Sequence, residues 1–152
     1  MQKYVIDTNL YVRAWRDPVD RDNLKAFIAG AGPRIHLHSV VAAELLAGAV
    51  TPAIRRQTEE QFIAPFERRD RVVTPQHGTW KRAGAVMGRL IKAKRLFETG
   101  VTRSFFNDCL LAVSAREEGL TIVTDNQRDF ELINSVERVR FVPPWPGQSE
   151  AL

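Results

Sequence analysis

The sequence predicts an α/β fold: a three-layer α/β/α domain whose mainly parallel central sheet is covered by helices on both faces. Three observations carry this. Tyr4-Val5-Ile6 is a short apolar run of strand formers without alternation, as expected of a strand buried on both faces, and Leu120-Thr121-Ile122-Val123 is a further strand candidate. Helical patterns alternate with the strand candidates along the chain, which is the mark of parallel strands joined by crossovers. Acidic or amide residues stand directly after two of these strands, at Asp7 and at Asp125-Asn126, and open α/β sheets place their sites at the carboxyl ends of strands.

The elements follow in order. Tyr4 to Ile6 is the first strand, and Thr8 and Asn9 can cap a short helix running to about Arg16, which Asp17-Pro18 breaks. Asp20 to Ala29 reads as a second helix with Leu24, Phe27 and Ile28 on one face, closed by Gly30 and Gly32. Ile35 to His38 is a short strand. Ser39 is the expected cap of a very apolar helix, Val40 to Val50, whose one charge is Glu44. Thr51-Pro52 has the cap-then-proline order of a helix start, and Pro65 should bend or end that helix. Arg71 to Thr74 is a third strand. A long helix from about Thr79 to Phe97 sets Trp80, Ala83, Val86, Met87, Leu90 and Ile91 at helical spacing, with much of the remainder basic. After a loop around Gly100 comes a helix from Ser104 to Glu118, stopped by Gly119; then the strand Leu120 to Thr124, a short helix through Leu132, and a last strand from Val139 to Val142.

The chain has 152 residues, enough for one domain with a sizeable core, placed at 1–146 with 147–152 as a C-terminal tail. Apolar content of 44% and charged content of 26% describe an ordinary globular protein. No apolar run is long enough to cross a bilayer, and the N-terminus enters a strand without a signal-peptide pattern. The single cysteine, Cys109, excludes an intrachain disulfide and a cysteine-based zinc site. A cytoplasmic setting is expected, with no membrane partner. The net charge of +4 suits a polyanionic partner or, equally, a basic solvated surface.

The chemistry-bearing residues are acids in apolar surroundings. Alone, Asp7 reads as a helix cap as readily as a site residue. Glu44 sits between Val41-Ala42-Ala43 and Leu45-Leu46-Ala47, where a carboxylate is costly unless paired; a lone exposed stripe is the alternative. Asp108 lies between Phe105-Phe106 and Cys109-Leu110-Leu111, and Asp is a poor residue inside a helix unless it falls in the first turn. Asp125-Asn126 alone would be a turn. Together these groups have one economical explanation, convergence on a hard divalent cation. Two carboxylates about 4 Å apart repel by roughly 4 kcal/mol at an effective dielectric near 20. Mg²⁺ or Mn²⁺ removes that repulsion and prefers oxygen ligands. His36, His38 and His77 are expected in structural roles, Cys109 is expected in the core, and no nucleophile elbow or glycine-rich phosphate loop is present.

Several segments resemble a known family at this point. Val5-Ile6-Asp7-Thr8-Asn9, Ser39-Val40-Val41-Ala42-Ala43-Glu44-Leu45 with Gly48, Asn107-Asp108-Cys109-Leu110-Leu111-Ala112 with Ala115-Arg116 and Gly119, and Val123-Thr124-Asp125-Asn126 with Asp129-Phe130 are similar, in order and spacing, to the motifs of PIN-domain proteins. Val142-Pro143-Pro144-Trp145 resembles a common ending. The likeness is strongest to the VapC toxins of bacterial toxin–antitoxin pairs. It implies a PIN-like fold and a Mg²⁺- or Mn²⁺-dependent endoribonuclease acting on RNA, often a homodimer and inhibited by a small antitoxin protein. Asp7, Glu44 and Asp108 fall on the family's acidic positions, as metal ligands and catalytic groups. The fourth acidic position falls on Asn126, so Asp125, Asn126 or Asp129 is left to fill it, with Asn126 expected to face the site and Asp129 at most to support it from behind. Arg103 and the basic long helix are candidates for phosphate contacts, with a solvated face as the alternative. Two rivals are a non-catalytic RNA- or protein-binding module on the same fold, and a signalling receiver domain. The receiver wants an acidic pair after the first strand and a late lysine, and neither is present.

Overall fold

The computed structural model describes residues 1–147, so 148–152 of the expected tail lie outside the described residues. Five strands form one sheet in the order β3-β2-β1-β4-β5: β1 (Lys3–Ile6), β2 (Ile35–His38), β3 (Val72–Val73), β4 (Leu120–Val123) and β5 (Phe141–Val142). Every pairing is parallel. Residues Lys3 to Ile6 stand opposite Leu120 to Val123, and Tyr4 opposite Ile35 on the other side. β1 is therefore central, and the chain reverses its direction of sheet growth between β1 and β4. A crevice at the carboxyl ends of the strands opens at such a reversal.

The two-residue period of a strand divides the core. Val5, Leu120 and Ile122 point to one face. There they meet α6 (His77–Lys92), α7 (Arg103–Glu118) and α8 (Gln127–Asn134). Tyr4, Ile6 and Val123 point to the other. There they meet α1 (Thr8–Arg16), α2 (Pro18–Ala31), α3 (Ser39–Gly48) and α5 (Ala64–Glu67). Between α3 and α5 lies α4 (Pro52–Thr58), continued by a π-helical turn over Glu59–Ile63. All four residues of β4 are buried, and so are Tyr4 to Ile6 of β1, as the unalternating sequence of β1 implied.

Local corrections have identifiable causes. The α1 cap is Asp7 itself, not Thr8 or Asn9, and its carboxylate accepts the Thr8 N–H. The α3 cap is His38, not Ser39: the ring Nδ1 accepts the Val40 N–H at 3.0 Å, while Nε2 donates to Ser114 Oγ at 2.9 Å. α2 starts at Pro18, because Asp17 caps it with proline in the first helical position, and it runs through Gly30 to Gly32. Gly32 holds φ 54°, a left-handed value that glycine adopts without a steric penalty. The break expected at Pro65 is replaced by the π-turn ahead of it. α6 stops at Lys92, not Phe97, and Trp80 is half exposed, stacked on Phe106 rather than buried. β5 is shorter than expected, beginning at Phe141. Residues 108–115 of α7 are all buried, which is why no polar stripe shows in its sequence.

Candidate active site

Asp7 ends β1 and is almost fully buried, at 5% exposure. Thr124, directly after β4, donates its hydroxyl to Asp7 Oδ2 at 2.8 Å, and the Asp7 N–H continues the ladder to Val123 O. Thr8 donates its hydroxyl to Glu44 Oε1 at 3.0 Å, which brings α3 to the end of β1. Asp108 stands in the second turn of α7, past the first-turn position where the helix dipole alone would account for it. The Asn126 side-chain N–H₂ donates to Asp108 Oδ2 at 3.3 Å and to Asp129 Oδ2 at 2.9 Å. Asn126 also caps α8, accepting the Asp129 N–H.

Asp7, Glu44, Asp108, Asn126 and Asp129 therefore share one mouth at the carboxyl ends of β1 and β4. Asp125 does not: it turns outward and pairs with Arg13. Asn126 faces inward instead, because its backbone N–H folds back onto Thr124 Oγ1. Asp129, expected at most behind the site, is tied to Asp108 through the shared Asn126 amide, and its charge helps to raise the Asp108 carboxyl.

The electrostatics are those of acids crowded together. Burial raises the Asp7 carboxyl above its ordinary value, against the pull of the Thr124 and Thr8 hydrogen bonds, with Asp129 adding repulsion. Burial likewise raises Glu44, again with repulsion from Asp7 opposing hydroxyl and amide partners. Asp108 is pushed up to about 8, first by burial and then by Asp7, Asp129 and Glu44. Among the described residues, no Lys, Arg or His ion pair involves any of these acids. Cys109, beside them in sequence, is buried, and its thiol is pushed up to about 12, as suits an inert core residue.

All the side-chain donors around the mouth are oxygens or one amide, the set that hard divalent cations take. Among the described residues, no three acidic, histidine or cysteine side chains stand close enough to grip a bare ion together. The acids are turned partly toward Thr8, Thr124 and Asn126. A donor set this open fits an ion that keeps several of its waters, as Mg²⁺ does.

Sequence reasoning missed the hydroxyl partners. Its one available signal was the threonine adjoining each strand-end acid, in Asp7-Thr8 and Thr124-Asp125. Arg103 opens α7 and is exposed; it lines a depression with Ser39, Val40, Trp80, Phe106 and Asn107. Of the basic residues on α6, Arg82 and Arg89 are drawn to Glu137.

A family model described as PIN domain matches residues 4–135. Among curated protein sequences, none matches the chain. Solved structures with the same fold include the DNA-bound VapBC of Salmonella typhimurium, at 22% identity and TM-score 0.72, covering 94% of this chain and 98% of that one. FitAcB from Neisseria gonorrhoeae has 18% identity and TM-score 0.67, covering 94% and 99%. VapBC-1 from nontypeable Haemophilus influenzae has 19% identity and TM-score 0.63, covering 93% and 98%. At these identities the likeness is one of fold.

Proposed function

The chain belongs to the PIN-domain family, and on that footing we propose that it is a metal-dependent endoribonuclease, the toxin of a VapBC-type toxin–antitoxin pair. The observation that carries the reading is the meeting of Asp7, Glu44 and Asp108 at one strand-end mouth with no cationic partner. Buried carboxylates are costly unless paired, so this set is explained by a cation that binds there.

Asp7 and Asp108 would hold Mg²⁺ or Mn²⁺, with Glu44 completing the set or placing the attacking water. When bound, the ion supplies charge stabilisation at the phosphate and lowers the pKa of a water. The chain's own residues prepare the mouth. Thr124 and Thr8 fix the carboxylates of Asp7 and Glu44 through 2.8 Å and 3.0 Å hydrogen bonds. Asn126 ties Asp108 to Asp129 and adds no charge of its own. Asp129 raises the negative potential beside Asp108, and its place in the mouth makes it a candidate to share the work of the fourth position.

A small antitoxin protein is the proposed partner, as the solved relatives are toxin–antitoxin complexes, and a homodimer is the proposed assembly. Among the described residues no helix is long and apolar enough to cross a membrane. The amide at the fourth position favours one second reading, a non-catalytic RNA- or protein-binding module. The test is RNA cleavage by purified protein in Mg²⁺ or Mn²⁺, with Asp7→Asn as control. Cleavage by the wild type that is absent from Asp7→Asn supports the nuclease. RNA binding without cleavage under either metal gives the second reading instead.

A further inference from the structure

A second charged cluster lies away from the acidic mouth. Glu137, just before β5, is 3% exposed. Its Oε1 accepts from Arg116 Nη1 at 2.8 Å and forms an ion pair with Arg82 Nη2, also at 2.8 Å, and its Oε2 accepts from Arg89 Nη2 at 2.9 Å. Arg89 also donates to the Val136 carbonyl at 2.7 Å. Three helix-borne guanidiniums thus converge on one carboxylate.

A tie between α6, α7 and the segment before β5 needs one arginine, or two in a fork. Three leave two positive charges unbalanced, held close together against their own repulsion. The arginine side chains are 41%, 49% and 44% exposed, so each keeps N–H donors turned to water. A guanidinium carries five donors in a planar fork that matches phosphate oxygens. The rim is basic too, since Arg138 and Arg140 are exposed on either side of buried Val139. Of the acids nearest in sequence, Glu117 is engaged by the Thr79 hydroxyl and Glu118 is exposed at the end of α7.

We propose that Arg82, Arg89 and Arg116, gathered on Glu137, form a phosphate-binding site for the backbone of single-stranded RNA, separate from the cleavage mouth. The proposal rests on the reading that RNA is the substrate. Arg116 lies eight residues beyond Asp108 on α7, roughly 12 Å along the helix axis. A strand held at both places therefore spans several nucleotides. The site reads charge and backbone, not sequence, and serves to hold long RNA while the acidic mouth acts on one bond.

The test uses the full chain carrying Asp7→Asn, so that nothing is cut, and a 20-nucleotide single-stranded RNA titrated by fluorescence anisotropy across NaCl concentrations. Each phosphate contact on a single strand contributes a slope of about 0.7 in log affinity against log salt. Adding Arg82→Gln and Arg116→Gln should weaken binding and make the slope shallower by roughly 1.4, while Arg82→Lys with Arg116→Lys should keep most of it. An unchanged slope in a variant whose melting curve shows it folded overturns the proposal. A second readout needs no change in the cluster. The arginine Nε–H signals of Arg82, Arg89 and Arg116 in NMR spectra should move at saturating RNA. Signals that stay still with RNA, or that move only with polyglutamate, overturn it in favour of a structural tie or an acidic protein segment. These binding results do not depend on cleavage, so a wild type that never cuts RNA would sink the nuclease reading without deciding this one.

Discussion

Among the described residues, two places bury carboxylates, and they solve the problem in opposite ways. At Glu137 the protein supplies the countercharge itself, with three guanidiniums within 2.9 Å. At the mouth formed by Asp7, Glu44, Asp108 and Asp129 it supplies hydroxyls and an amide, but no cation among the described residues. The consequence shows in proton affinity: burial and mutual repulsion push Asp108 up to about 8. Negative charge is left in surplus in one place and positive charge in the other, which is the contrast that the two proposals rest on.

The largest expected effect separates chemistry from stability. Asp7→Asn and Asp108→Asn should each lower RNA cleavage by at least 10²–10³-fold, on the order of losing one charge-stabilising group. Melting temperature without metal should hold or rise, because a buried repulsion is relieved. A cleavage assay beside a thermal melt checks both, and a variant that keeps wild-type cleavage breaks the comparison.

Glu137→Ala should do the reverse. Breaking a buried pair costs roughly 3 kcal/mol, the low end of the usual range because the arginines are half exposed. At about 2–4 °C per kcal/mol for a chain of this size, the melting temperature should fall by roughly 10 °C. A fall smaller than that of an exposed pair would show that the cluster does not hold the fold.

His38 gives the pH signature of a third arrangement, a buried group kept neutral. Burial pushes its imidazole down to about 4. In the unfolded chain its ordinary value is near 6.5. The unfolded state therefore binds the extra proton between those values, so the stabilisation is present above pH 6.5 and is lost as pH falls through 4. The loss should reach roughly 3 kcal/mol. Chemical denaturation of wild type and His38→Gln from pH 7 to 4 should show a steeper decline in the wild type; parallel declines would contradict this.

The smallest effects sort the fourth position. Asn126→Asp should tighten Mn²⁺ binding, since ligand charge raises affinity at an oxygen site. Asp125→Ala, which removes only the exposed pair with Arg13, should change stability by about 0–1 kcal/mol and leave metal affinity alone. Isothermal titration of these variants with Asp129→Ala decides whether Asp129 or Asn126 matters more; a loss of affinity in Asp125→Ala would refute the outward placement.

The fold was legible because burial writes itself into sequence. Tyr4-Val5-Ile6 has no alternation and is buried throughout, and among the described residues each strand except β5 is followed by a helix. Glu44 and Asp108 stood out as charges in apolar runs. What stayed hidden depended on contacts distant in sequence. Nothing local distinguishes His38 as a helix cap bonded to Ser114, 76 residues away, or marks Thr8 as the donor to Glu44. The cluster at Glu137 draws on residues 82, 89, 116 and 137, and only the folding of α6 beside α7 brings them together. Trp80 was misplaced because helical spacing locates a face but not what covers it.

The central claim is that the acidic mouth is made for a divalent cation. Its most direct measurement is the melting temperature of chelator-treated protein titrated with Mn²⁺ or Mg²⁺. Binding to the folded state alone must raise it, by an amount that grows with metal concentration. The account predicts a rise in wild type and Asp125→Ala, and little or none in Asp7→Asn and Asp108→Asn. Equal rises in all four proteins would contradict it.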